Sequence, residues 1–287
     1  MPRLRIDAHH DGPRDAAGHA PWTALHRHID PLPTGAPLAI VTHGMNHAPG
    51  WAAHDPHDGI LSYCANPNRH WKSRSLVRCL HMGDGQVLSG HAITFGWDGR
   101  GTVWTAMRRA SYAGAALARL ACAIRRRRPD LRITVVAHSM GARVVIEAML
   151  RAPLPVCDRA LLLTPADSRA RAGRALRAPG GAACTVVATQ TPENWLCNLG
   201  MVAAMAGAAD LSRGPDHLRW MDFYPDRSGL PVWPHRTCHW SCFLRRGVWP
   251  LYRAWVSGAA GASLFAPVAA PRLHSAADTP TVTASTA

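Results

Sequence analysis

Five residues near the middle of the chain combine types and spacing that could do covalent chemistry: Ala137-His138-Ser139-Met140-Gly141. The run before them, Ile133-Thr134-Val135-Val136, is apolar and β-branched, and a helical pattern begins at Arg143. A strand, a sharp turn and a helix therefore meet at Ser139. Such a turn brings the strand and helix backbones close together. Only small residues then fit two positions either side, here Ala137 and Gly141. The helix directs its N-terminus at the serine, so the backbone N–H of Met140 can stabilise a developing oxyanion.

A second segment supplies the complementary donor. Thr42-His43-Gly44-Met45-Asn46 follows an early apolar run, and a His-Gly turn there offers the N–H of the next residue, Met45. A serine is inert at neutral pH without a base, and the base needs an orienting acid. With the nucleophile first in chain order, the acid should follow a later strand and the histidine should come last. His239 is the best base, with His235 in reserve. Glu193, after the run Thr185-Val186-Val187-Ala188, is the preferred acid. Asp167, after Ala160-Leu161-Leu162-Leu163, is the alternative and would serve equally well as a helix N-cap.

The elements that must hold these residues form a βα rhythm. Apolar runs at Pro37 to Thr42, Ala92 to Phe95, Ile133 to Val136, Ala160 to Leu163, Thr185 to Ala188 and, more weakly, Trp220 to Tyr224 lack polar alternation. That pattern marks strands buried on both faces. Helical periodicity runs from Ser111 to Arg128, from Arg143 to Leu150 and from Leu244 to Val256. The fold class expected is α/β, a mainly parallel central sheet with helices on both faces. Residues 1–30 read as an N-terminal extension with room for a first strand, and 31–262 as the main domain. An insertion at about 47–90 is rich in His and Trp, and 263–287 has the composition of a disordered tail.

The elbow at Ser139, the His43-Gly44 loop, Phe95-Gly96-Trp97-Asp98-Gly99 and the late His239-Trp240 segment together resemble the α/β-hydrolase superfamily, over roughly Leu38 to Val256. Within it the chain is similar to a poorly characterised bacterial branch. The resemblance implies an eight-stranded type of sheet, Ser–acid–His catalysis on an ester or related acyl bond, and no cofactor. Ala137 stands where a glycine is commoner. An acyl pocket would be walled by Trp51 and Trp71 of the insertion and by Trp195, with His43, Trp97 and His138 beside the nucleophile.

Composition narrows the alternatives. The 287 residues carry 32 Lys and Arg against 18 Asp and Glu, a formal net charge of +14, almost all of it arginine. The arginines are scattered, apart from Arg125 to Arg128, which suit the negative end of the helix they close. They read as a solvated basic surface rather than a nucleic-acid interface. No apolar run approaches the ~20 residues of a membrane span, and no secretory h-region opens the chain, so a cytoplasmic protein with reduced thiols is expected. Metal ligands are conceivable at His43-x-x-x-His47, His54 to His57 and His235 to Cys242, but the spacings are not those of zinc sites, and none is expected. The partner expected is a small acyl substrate. A hydrolase fold serving only for binding is the remaining rival.

Overall fold

A computed structural model describes residues 3–65, 74–190, 195–205, 211, 213–225, 239–244 and 247–265. Eight strands among them form one sheet: β1 (Leu4–His9), β2 (Gly12–Asp15), β3 (Pro37–Thr42), β4 (Ala92–Gly96), β5 (Arg132–His138), β6 (Arg159–Leu163), β7 (Thr185–Thr189) and β8 (Trp220–Phe223). Their order is β2-β1-β4-β3-β5-β6-β7-β8, and only β2 runs antiparallel to its neighbour. This is the mainly parallel sheet that the apolar runs predict. β5 is central: Val136 pairs with Val41 on one side and Leu161 on the other. Its C-terminal end therefore opens mid-edge, where parallel sheets place their ligands.

The N-terminal 30 residues are not an appendage. β1 pairs in parallel with β4, β2 closes the edge as a hairpin, and α1 (Trp22–Ile29) packs Leu25 and Ile29 into the core. The insertion is likewise built into the sheet. It includes α2 (Leu76–Cys79), and its residues Ile60, Leu61, Tyr63, Leu76 and Val77 are buried on one sheet face. The Tyr63 hydroxyl lies 2.9 Å from the Leu4 carbonyl and 2.8 Å from that of Ala92, fastening the insertion across β1 and β4.

α3 (Val103–Arg127) begins eight residues before the periodic segment read from Ser111, because Thr102 caps it by accepting from the Thr105 N–H. α3, α4 (Gly141–Arg151) and α5 (Arg169–Arg177) share the core of one face with α1. α6 (Trp195–Ala204) follows β7. The last helical pattern is two helices, α7 (Ser241–Leu244) and α8 (Val248–Ser257), packed on the other face with α2. Gly114 lets α3 approach α4: a Cβ there would sit 2.5 Å from that of Glu147.

Two expectations need correction. Three of the four arginines that end α3, Arg125, Arg127 and Arg128, are cross-links as well as surface charge. Arg127 binds Asp30 at 2.8 Å, Arg125 binds Asp158 at 2.9 Å, and Arg128 holds Asp130 and the carbonyls of Ile29 and Leu32. The packed chain also continues past Ser263. Phe265 is buried, 5.0 Å from Phe223 and 5.6 Å from Trp255 between ring centroids, because an apolar gap remains between β8 and α8.

Candidate active site

Ser139 sits between the end of β5 and the start of α4 with φ 53°, a left-handed conformation that costs a non-glycine residue roughly 1–3 kcal/mol. Three backbone hydrogen bonds hold it there: its N–H donates to Leu163 O at 2.9 Å, and its carbonyl accepts from Ala142 N–H at 3.0 Å and Ala166 N–H at 3.1 Å. Leu163 ends β6, Ala166 lies in the loop after it, and Ala142 is in the first turn of α4. The residue is half-buried. Among the described residues its hydroxyl has no hydrogen-bond partner.

The spacing of small residues has its predicted reason. A Cβ on Gly141 would lie 2.5 Å from His43 O, so the elbow helix and the loop after β3 touch through backbone. A Cβ on Gly44 would lie 2.8 Å from Ser139 Cβ and 3.3 Å from its Oγ. The Gly44–Met45 backbone thus runs directly beside the serine. Behind it, Asn46 N–H donates to Gly99 O at 3.0 Å and Gly99 N–H to His47 O at 2.9 Å. Among the described residues, neither the Met45 nor the Met140 backbone N–H has an acceptor.

His43 is a fixture of this loop. Its Nδ1 lies 2.7 Å from Gly44 O and must carry the proton, while Nε2 accepts from Trp97 N–H at 3.0 Å. Trp97 stacks on the ring at 6° and returns its indole N–H to His43 O. Burial drives the His43 pKa well below that of a free imidazole, in keeping with a neutral, fully used ring. His43 and Trp97 are therefore a buried pair that shapes the turn. Trp51 lies further out, 37% exposed, with its ring centroid 4.6 Å from that of His54.

His239 lies beside His138, the residue that precedes Ser139. Its ring is 4.9 Å from that of His138, and no hydrogen bond joins it to the Ser139 hydroxyl in this conformation. Its backbone carbonyl accepts from Thr164 Oγ1 at 3.3 Å. Thr164, at φ 46° in the loop that holds the elbow, was not singled out from sequence; a hydroxyl at a strand's C-terminal end was the available signal. Burial lowers the His239 pKa to about 4, so the ring is neutral at physiological pH. His138 is buried and its Nε2 has no partner among the described residues. Its pKa is driven down by burial first and then by His239.

The two candidate acids differ. Asp167 is fully buried, and its carboxylate is held by Arg143 at 2.8 Å, Arg171 at 3.2 Å and the Ser168 N–H at 2.7 Å. Burial raises its pKa against the pull of both guanidinium groups. Arg171 also pairs with Glu147, and Glu147 with Arg151, so the carboxylates lie in a network that locks α4 to α5. Sequence reasoning missed this network. No contact between Asp167 and His239 is found among the described residues. Glu193 and Trp71 lie outside the described residues, as do His235 and Cys238; Trp195 opens α6. No group of three or more His, Cys, Asp or Glu able to hold a metal ion occurs among the described residues, and none of their helices is long and apolar enough to cross a membrane.

Comparisons with known proteins bear on the fold. The family model described as alpha/beta hydrolase of unknown function (DUF900) matches residues 66–152, which include β4, α3, the elbow and α4. No curated protein matches the chain. Similar solved structures include TT1662 from Thermus thermophilus, 12% identical over 77% of this chain and 90% of that one, with a TM-score of 0.38. The esterase Est2 from the Planctomycetes species Thermogutta terrifontis is 10% identical over 84% and 88%, with a TM-score of 0.37. RedJ is 17% identical over 80% and 92%, with a TM-score of 0.34. The mainly parallel eight-stranded sheet, with a left-handed serine between its central strand and the next helix, and the family model matched over residues 66–152 fit an α/β-hydrolase fold.

Proposed function

We propose that the chain is a serine hydrolase acting on a carboxylic ester or related acyl bond. The observation that carries this reading is the strained serine: Ser139 at φ 53°, half-buried, flanked by the N–H groups of Met45 and Met140, which have no acceptor among the described residues. Storing strain at one serine beside such donors is the geometry that acyl transfer needs.

In this reading neutral His239 takes the Ser139 proton as Oγ attacks the acyl carbonyl. The carbonyl oxygen gains the electron pair and is met by the Met45 and Met140 N–H groups. Collapse expels the alcohol, which leaves with the proton held by His239, and an acyl-enzyme remains. Water, deprotonated by the same ring, then releases the acid. Glu193 is assigned as the orienting acid. Asp167 is tied to arginines on the α4–α5 face, whereas His239 lies beside His138, whose ring also packs on Phe243 of the opposite core. His138, Trp51, Trp71 and Trp195 are assigned to the substrate pocket, with His43 and Trp97 shaping its floor. The substrate is a small-molecule acyl compound.

A fluorophosphonate probe tests the assignment. Wild-type protein should be labelled and the Ser139→Ala protein should not. Equal labelling of both would overturn the nucleophile, and no labelling of folded wild type would favour a binding protein on this fold.

A further inference from the structure

α3 contains six arginines and no acidic residue. Those that turn toward the body of the protein are neutralised: Arg109 by Asp98, Arg125 by Asp158 and Arg127 by Asp30. Arg108 is exposed and, among the described residues, has no ion-pair partner. On either side of it along the helix stand Trp104, 63% exposed, and Tyr112, 54% exposed. At four-residue spacing the three share a face only about 80° wide. Arg100 extends this ridge outward, its guanidinium 5.9 Å above the Trp51 ring.

The position of the ridge matters as much as its composition. Arg100 and Trp104 follow Gly99, which is hydrogen-bonded to Asn46 and His47, so the ridge shares one brace with the Gly44–Met45 loop beside Ser139. Arg108 and Tyr112 also line a cleft of about 470 Å³ that has Trp97 among its walls. Large exposed aromatics are costly in water unless something covers them. Trp, Tyr and Arg together are the side chains that partition to the headgroup level of a bilayer: the rings take the apolar boundary and the guanidinium groups take lipid phosphates.

We infer that Trp51, Arg100, Trp104, Arg108 and Tyr112 form a docking ridge for an anionic lipid surface, from which the enzyme draws its acyl substrate. The centre of the ridge, Trp104, Arg108 and Tyr112, is one exposed helix face. Its charge is modest, because Arg100 and Arg109 share Asp98, which leaves Arg108 as the cation without an ion-pair partner among the ridge residues described, and Asp7 in the cleft wall is engaged by His57 at 2.7 Å. Nucleic-acid binding of ordinary strength rests on roughly 6–10 phosphate contacts. A surface led by aromatic rings with few free cations favours lipid instead. The substrate half of the inference rests on the hydrolase reading, and the docking half stands without it.

Vesicle co-sedimentation separates the two halves. Wild type and Ser139→Ala should both sediment with phosphatidylcholine vesicles containing phosphatidylglycerol, and less with pure phosphatidylcholine. Trp104→Ala combined with Tyr112→Ala should lower partitioning about tenfold, and Arg108→Gln about fivefold on anionic vesicles alone. All three residues are on the surface, so melting temperatures should not move. Turnover of a long-chain ester presented in vesicles should fall in the double variant while turnover of a soluble ester holds. Absence of vesicle binding, or binding indifferent to these substitutions, overturns the ridge. So does salt-sensitive binding of a single-stranded oligonucleotide through Arg108 without vesicle binding. Vesicle binding with no ester turnover in either presentation leaves the ridge standing and removes the hydrolase reading.

Discussion

Gly44→Ala is the sharpest structural test of the site. The added methyl would lie 2.8 Å from Ser139 Cβ, 3.0 Å from His138 O and 3.3 Å from Ser139 Oγ. Carbon atoms pack best at about 3.5–4.0 Å, so the two segments must separate by nearly 1 Å. Neither has slack. Behind Gly44 lies Gly99, where even a Cβ would come within 3.0 Å of Gly44 O, and Ser139 is fixed at both backbone atoms by the end of β6 and the loop after it. Overpacking of this kind costs about 1–3 kcal/mol of stability, a fall of several degrees in Tm. The effect on turnover should be larger. The Met45 N–H moves with Gly44, out of the ~0.4 Å window in which an oxyanion donor is effective, and loss of one donor costs about 10²–10³ in kcat. The assay is p-nitrophenyl ester turnover beside thermal melting, with Gly200→Ala as control, since a Cβ there meets nothing within 4 Å. A Gly44→Ala protein with wild-type kcat and Tm would refute the claim that this loop abuts the nucleophile.

Four further outcomes follow from the same geometry. Glu193→Gln should lose about 10⁴ in kcat with little change in Tm. Asp167→Asn should instead lose about 3–5 kcal/mol in a denaturant titration, because Arg143 and Arg171 are left near a neutral amide. Burial holds His43, His138 and His239 below the ordinary imidazole pKa, so the unfolded chain binds more protons as pH falls below about 6.5. Their contribution to stability is full above that pH and is lost toward pH 4, which melting curves at pH 7.5 and 5 should show. The acid limb of kcat/KM should lie near pH 4, because His239 stays neutral down to that point.

How much of this was legible in sequence depends on how local the cause is. Strands β3, β5, β6 and β7 are buried on both faces, so each is an unbroken apolar run visible without its neighbours. β2, Gly-Pro-Arg-Asp, carries no such signal; a four-residue edge strand with a proline exists only because β1 is there to pair with it. The elbow is local too, since Ala137, Ser139 and Gly141 lie within five residues and the close approach they permit is written in their size. The charged residues are the opposite case. Arg128 meets carbonyls nearly a hundred positions earlier, and Asp167 meets Arg143 across 24. A helix-ending arginine run and a strand-end aspartate look the same in sequence whether they face water, a catalytic histidine or one another. Folding decides between these outcomes by which sheet face each helix takes. α4 and α5 take the face that captures Asp167, and the segment carrying His239 takes the other. The strand–turn–helix elbow that carries the proposed nucleophile could therefore be read from its own five residues. The proposed acid could not: sequence preferred Glu193 over Asp167, and the commitment of Asp167 to Arg143 and Arg171 is a long-range contact that supports the same preference.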